Sequence, residues 1–266
     1  MDAVALVGHP VAMTTELSHA TCCDLADREI ARFAAAIRGA DPKMTVPTCG
    51  RWRLSTLVQH IGLIHYWVTG MVAELAQERH QRTVADHPLP ADPGAHPDWL
   101  AAARTTLVPV LRAADPDAPM WTWGADHHVR FWSRRMVHET AVHRCDADLA
   151  LGRVPQIEPE VGADGVDEYL ANLRPARKFA FDVGKLRGDG ERIRLQTSDT
   201  GDAWTVALHP AGFDWARDGR GEPTVSVTGQ AADLYLLAWG RYPADDRFLV
   251  RGDRALLEFW QANSHI

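Results

Sequence analysis

The stretch FWSRRMVHETAVHRCDAD, residues 131–148, decides how this chain is read. Its periodicity is that of an α-helix, and it sets Glu139 and His143 four positions apart. Four residues advance about 400° around a helix axis, so these side chains sit about 40° apart on one face, with Cβ atoms roughly 5–6 Å from each other. Trp132, Met136, Ala147 and Ala150 fall on the same face, which therefore turns inward. A carboxylate and an imidazole on a buried face need partners. An unpaired ionised carboxylate in an apolar interior is so costly that it is normally paired, protonated or metal-bound. A divalent metal satisfies both groups at once. The pattern is not the zinc-protease helix, H-E-x-x-H, which has its two histidines four apart. His138 and His143 are five apart and diverge by about 140°, so they cannot share one ion. His138 is expected to face away, and a third ligand has to come from elsewhere.

Outward from this helix, the first half of the chain reads as three more. Residues 15–39 carry Leu17, Leu25, Ile30, Phe33 and Ile37 at helical spacing, with Gly39 as a stop signal. Residues 54–78 carry the stripe Leu57, His60, Ile61, Ile64, Trp67, Val68 and Met71. A Pro-rich linker, HPLPADPGAHP, precedes a helix over 98–114, and the fourth helix runs over 131–151. Four helices joined by loops predict a four-helix bundle, a fold whose metal sites are built from side chains on facing helices. After Gly152 the pattern changes. One helix near 162–173 is followed by short alternating runs, ERIRLQTSD, AWTVALHP, GFDWARD and TVSVTG, which read as antiparallel strands. Helices over 230–240 and 253–263 close the chain. The fold class is α+β in two domains: a helical bundle over 1–155, with 1–13 as a disordered tail, and a smaller α+β domain with an antiparallel sheet over 156–266.

Composition narrows the function classes. The formal net charge of −7 argues against nucleic-acid and anionic-membrane partners, which favour basic patches. No run approaches the length of a transmembrane helix. The first residues, MDAVALVGHPVAM, lack a basic n-region and a long apolar core, as expected of a cytoplasmic protein. Cys22, Cys23, Cys49 and Cys145 form neither a disulfide framework nor a zinc-finger pattern and are expected as free thiols. The 10 tryptophans are read as core filling.

His60 is the candidate third ligand because it interrupts an apolar stripe on another helix of the bundle. A hydrogen-bonded core histidine is the alternative, and periodicity alone does not remove it. Two histidines and one carboxylate form a recurring catalytic zinc set that leaves a position open for water or substrate. Asp146, three residues after His143, either orients that imidazole or pairs with an arginine.

Three segments resemble the mycothiol-dependent maleylpyruvate isomerase family, whose bundle is DinB-like. They are VPTCGRWRLSTLVQHIGLIHYW, the helix quoted above, and VTGQAADLYLLAWGRYPADDRFLVRGDRALLEFW. The resemblance implies a divalent metal, zinc in most of the family, held by His60, Glu139 and His143. It implies mycothiol as a thiol cosubstrate and a small electrophile as substrate, in an isomerase or S-transferase whose metal-activated thiolate is the nucleophile. It implies that Arg241, in AWGRYP, reaches the active site from the second domain; there it would clamp a substrate carboxylate, the alternative being an interdomain salt bridge. Arg134 and Arg135 match the family's arginine pair and are read as structural, off the metal face. Cys145 replaces a large aromatic and points away from the metal, and Cys49 is given no role beyond packing. A metal-hydroxide hydrolase and a non-catalytic metal-binding regulatory protein are the alternatives. Because all three ligands come from the first half, truncation near Gly152 is expected to spare metal binding.

Overall fold

The computed structural model describes residues 17–81 and 84–266, so the expected tail over 1–13 lies outside the described residues. Four helices form the first domain: α1 (His19–Ala36), α2 (Leu54–Ala73), α3 (His96–Ala113) and α4 (Val129–Ala150). Helix α1 starts at Ser18, whose side chain accepts a hydrogen bond from the Thr21 amide, as an N-cap should. Its buried face, Leu25, Ile30 and Phe33, follows the spacing read from sequence and packs toward α3 and α4. Helix α2 stops earlier than its apolar pattern predicts. Leu75 takes a positive φ of 47° and the Ala76 amide folds back onto the Met71 carbonyl, so residues 74–78 leave the helix.

Helix α4 is buried almost all round. Trp132, Met136 and Ala147 face the bundle, while Val142 and Cys145 join an apolar cluster with Tyr169, Leu170 and Tyr235 of the second domain. Its buried charges, Arg135, Arg144, Asp146 and Asp148, are each ion-paired, as interior charges must be. The helix is shared by two cores, and Cys145 fills the second of them.

The second domain opens with α5 (Pro159–Ala176) and continues with β1 (Arg192–Thr197), β2 (Ala203–His209), β3 (Gly212–Arg217), β4 (Val225–Gly229), α6 (Ala231–Ala238), β5 (Leu249–Gly252) and α7 (Arg254–Asn263). The sheet order is β3-β2-β1-β4-β5. Neighbours pair antiparallel except β1 and β4, which are parallel, with Leu195 opposite Val227. Three of the four pairings are antiparallel, as the alternating runs predict, and the β1–β4 pairing makes the sheet mixed. Alternation at period two fixes which face a strand buries but not its direction. The β1–β2–β3 meander occupies one edge of β1, so the chain crosses back and lays β4 along the other. Strand β5 is short and mostly exposed, without the alternation that would reveal it in sequence. Helix α6 packs on α5 and against β1 and β4.

Candidate metal and substrate cavity

Between the bundle and the second domain lies a cavity of about 920 Å³. Helix α2 supplies His60 and Trp67 to its lining, and α4 supplies Trp132, Arg135, Met136, Glu139 and His143. The segment after α6 supplies Trp239 and Arg241. Two local structures aim the loop residues. Before α2, the Trp52 amide donates to the Cys49 carbonyl, and Gly50 takes φ +63°, as the first central residue of a type II′ turn requires. This turn sets Thr48, Cys49 and Trp52 at the cavity wall. At the end of α6, Gly240 takes φ +69°, its amide donates to Leu237 and the Arg241 amide donates to Leu236. This is the Schellman pattern, and it turns Trp239 and Arg241 toward α4.

His60, Glu139 and His143 converge as the sequence predicts. One ligand atom from each lies within 4.8 Å of the others. Glu139 Oε1 is 3.3 Å from His60 Nε2 and 3.6 Å from His143 Nε2. Those separations are long for hydrogen bonds but suit two donors on one ion. With ligand distances of about 2.0–2.1 Å, tetrahedral donors sit roughly 3.4 Å apart. The donor set therefore fits a divalent metal. A second group, Cys49, His143 and Asp146, is also compact. Its carboxylate is already neutralised by Arg241, which makes it the poorer cation site.

The trio rests on a second ring of contacts. Asp146 is fully buried and takes five donors: His143 Nδ1 at 2.8 Å, Arg241 Nε at 3.0 Å and Nη2 at 2.9 Å, Thr48 Oγ1 at 2.5 Å and Cys49 Sγ at 3.2 Å. Both sequence readings of Asp146 hold together: it orients His143 and it pairs with an arginine. Arg241 spends its remaining terminal nitrogen, Nη1, on the Trp239 carbonyl at 2.7 Å. Cys49, read as packing alone, is part of this hydrogen-bond network. The fixed Nδ1 of His143 leaves Nε2 for the cavity.

Arg135 corrects the sequence reading. Arg134 is structural as expected, paired with Asp164. Arg135, however, is buried, donates to Glu139 Oε2 at 2.7 Å and grips both oxygens of Glu168. It also lies 4.9 Å from the centroid of the Trp239 ring. The signal was present: residues 135, 139 and 143 repeat the i,i+4 spacing. By holding Oε2, Arg135 leaves Oε1 facing the two histidines. His138 points the other way and meets Asp164 at 2.8 Å.

These contacts set the charge states. Burial raises the Glu139 carboxyl, but Arg135 and the bonds to His143 and His60 outweigh it and hold it well below the usual carboxylate range. Burial lowers the His143 imidazole, but its bonds to Asp146, Cys49 and Glu139 dominate and raise it to about 10. Asp146 is pushed up by burial and held below the usual range by His143 and Arg241.

Sequence reasoning also missed the aromatic wall. Trp52, Trp67, Trp121, Trp123 and Trp239, assigned to core filling, all line the cavity. Four of them sit in loops or at helix ends, where periodicity carries no signal.

The fold and this cluster define one class of protein: a helical bundle with a His/Glu/His donor set, covered by a C-terminal α+β domain. Residues 23–148 match the mycothiol maleylpyruvate isomerase N-terminal domain, and residues 160–259 match the MDMPI C-terminal domain. The chain belongs to the family of the mycothiol-dependent maleylpyruvate isomerases. Among solved structures it is similar to the mycothiol-dependent maleylpyruvate isomerase, at 16% identity and a TM-score of 0.57, over 88% of this chain and 93% of that one. A histidine-to-alanine mutant of that enzyme matches over the same shares at 15% identity and a TM-score of 0.58. At such identities the likeness shows the fold. Comparison with curated proteins gives no match. Among the described residues no helix is long and apolar enough to cross a membrane.

Proposed function

We propose that this protein is a mycothiol-dependent enzyme that isomerises a small unsaturated electrophile, with a divalent metal held by His60, Glu139 and His143. The observation that carries the reading is the convergence of these three side chains on an interdomain cavity, in a chain whose two halves both match the family. Zinc suits two imidazoles and one carboxylate. A metal bound there supplies Lewis acidity that keeps a thiol deprotonated at neutral pH.

The protein's own residues do the rest. Asp146 fixes the His143 tautomer so that Nε2 faces the cavity. Arg135 neutralises Glu139 and limits it to one free oxygen. Arg241 acts on the site through Asp146, which makes it a positioning residue in this proposal instead of the expected carboxylate clamp. The tryptophan wall gives the cavity an apolar lining beside the trio. Among the described residues, the one cysteine on the lining, Cys49, donates to Asp146, so the nucleophile is the external thiol. The same site yields an S-transferase if the adduct leaves intact, and product analysis separates the two. The reading keeps the domain boundary at 155/156, which the gap between the two family matches supports, and a cytoplasmic location, where mycothiol would serve as the thiol partner.

The test is a thiol-dependence assay on maleylpyruvate and other electrophiles. Rate should saturate with mycothiol and vanish after chelation. Undiminished turnover without any thiol overturns the reading and promotes the hydrolase.

A further inference from the structure

The cavity is not uniform along α4. From Glu139 toward the start of the helix, its lining passes Met136 and reaches Trp132, seven residues and roughly 10 Å away. There Trp132 meets Trp67 edge-on, with centroids 5.4 Å apart, and Trp121 lies at 5.9 Å from Trp67 and 6.1 Å from Trp132. Trp67 and Trp121 are partly buried and line the cavity. The side-chain donors of Trp67, Trp132 and Thr122 are already spent. Trp67 Nε1 donates to the His80 carbonyl, Trp132 Nε1 to the Trp121 carbonyl, and Thr122 Oγ1 to the Asp126 carbonyl. Trp67 and Trp121 therefore present π-face and C–H edge, a surface suited to a flat apolar ring.

The charged end does not favour an anion. Arg135 and Arg241 face three carboxylates, Glu139, Glu168 and Asp146. One divalent ion and one thiolate together add a single positive charge, which brings this floor to zero. The lining cations without an ion pair, Arg79 and Lys178, are exposed at the rim, where solvent screens them.

We propose that the electrophile is an uncharged aryl-substituted α,β-unsaturated carbonyl compound, its ring against Trp67 and Trp121, which the buried Trp132 backs, and its unsaturated carbon at the trio. The inference rests on the thiol-isomerase reading above. The thiolate sulfur bonds to the β-carbon and the C=C pair moves onto the carbonyl oxygen as an enolate. The former double bond turns. The enolate pair then re-forms C=C and the C–S bond breaks, which returns the thiolate, so no oxidant or proton is consumed.

The test uses the cis isomer of benzylideneacetone, with maleylpyruvate as the acidic comparison. Conversion to the trans isomer should require mycothiol and saturate in both. Without thiol, the compound should quench tryptophan fluorescence in a saturable titration. Trp121→Ala should raise KM for benzylideneacetone about tenfold, the scale of one lost stacking contact with its buried area, and leave KM for mycothiol unchanged. That unchanged value also reports that the variant is folded, and Trp121→Phe should restore most of the loss. Mycothiol-dependent turnover of maleylpyruvate with neither binding nor turnover of benzylideneacetone overturns this inference and leaves the isomerase reading intact. A KM increase for mycothiol alone assigns the wall to the thiol and also overturns it. No thiol-dependent turnover of either compound overturns both.

Discussion

Asp146→Asn is the most demanding test of the site. The substitution keeps the shape of a fully buried side chain and removes its charge. Thr48 Oγ1 and Arg241 Nε donate to Oδ1, while Cys49, His143 Nδ1 and Arg241 Nη2 donate to Oδ2. An amide offers one oxygen and one NH2. With the oxygen on the His143 side, the NH2 faces Arg241 Nε–H, and two donors oppose each other. With the amide flipped, the NH2 faces His143 Nδ1 and forces the imidazole proton onto Nε2, the atom the metal needs. Either way Arg241, mostly buried, loses its counter-charge. Removing one partner of a buried pair costs about 3–5 kcal/mol, and losing the group that orients a ligand histidine costs roughly 10–100-fold in metal affinity. At roughly 2–4 °C per kcal/mol, Tm should fall on the order of 10 °C. Thermal unfolding and competition against a chromophoric chelator measure the two losses. Wild-type Tm together with wild-type metal affinity would falsify the assignment of Asp146 as the anchor of His143.

Arg135→Met should leave Glu139 and Glu168 without their shared cation; stability should drop by about 3–5 kcal/mol and metal affinity should weaken, as read by denaturant titration and chelator competition. Metal uptake should depend on pH. The raised folded pKa of His143, about 10 in the metal-free protein, means that one proton leaves for each ion bound; affinity should climb about tenfold per pH unit until that value, and calorimetry in buffers of different ionisation heat should count the proton. The depressed pKa of Asp146 works with the opposite sign. Its stabilisation is complete above the unfolded value of about 3.9 and is lost as pH falls toward the folded one, so acid unfolding of Asp146→Asn should be shallower than wild type. Truncation after Gly152, expected from sequence to spare metal binding, should instead weaken it, because it removes Arg241 and uncovers Val142 and Cys145; equilibrium dialysis of the fragment decides between the two.

Much of the bundle was legible because amphipathic helices advertise themselves, and the trio was legible because Glu139 and His143 share a helix face while His60 interrupts an apolar stripe. Arg135 was overlooked because it was read as one of a structural arginine pair, although the i,i+4 spacing that links Glu139 to His143 also links Arg135 to Glu139 one turn further on. Asp146 was seen as a candidate with two uses, but nothing local reveals that Thr48, Cys49 and Arg241 meet on it, since these contacts span 95–98 residues of sequence. The parallel β1–β4 pair escaped for a similar reason: strand direction is decided by where the chain returns, not by alternation within the strand. The tryptophans were counted correctly but placed in the core, because large apolar side chains on loops give no sign of whether they face an interior or a cavity.

The Schellman turn that delivers Arg241 to Asp146 has a reciprocal consequence. The guanidinium belongs to the second domain, and the imidazole it steadies belongs to the first. If docking of the second domain tightens the hold on an ion, then the ion must tighten docking by the same factor, since coupling free energies have no direction. A bound metal would thus serve as adhesive as well as reagent, and chelation would loosen α6 and with it Trp239, which lines the cavity. Loss of metal and loss of cavity shape then become one event seen from two ends.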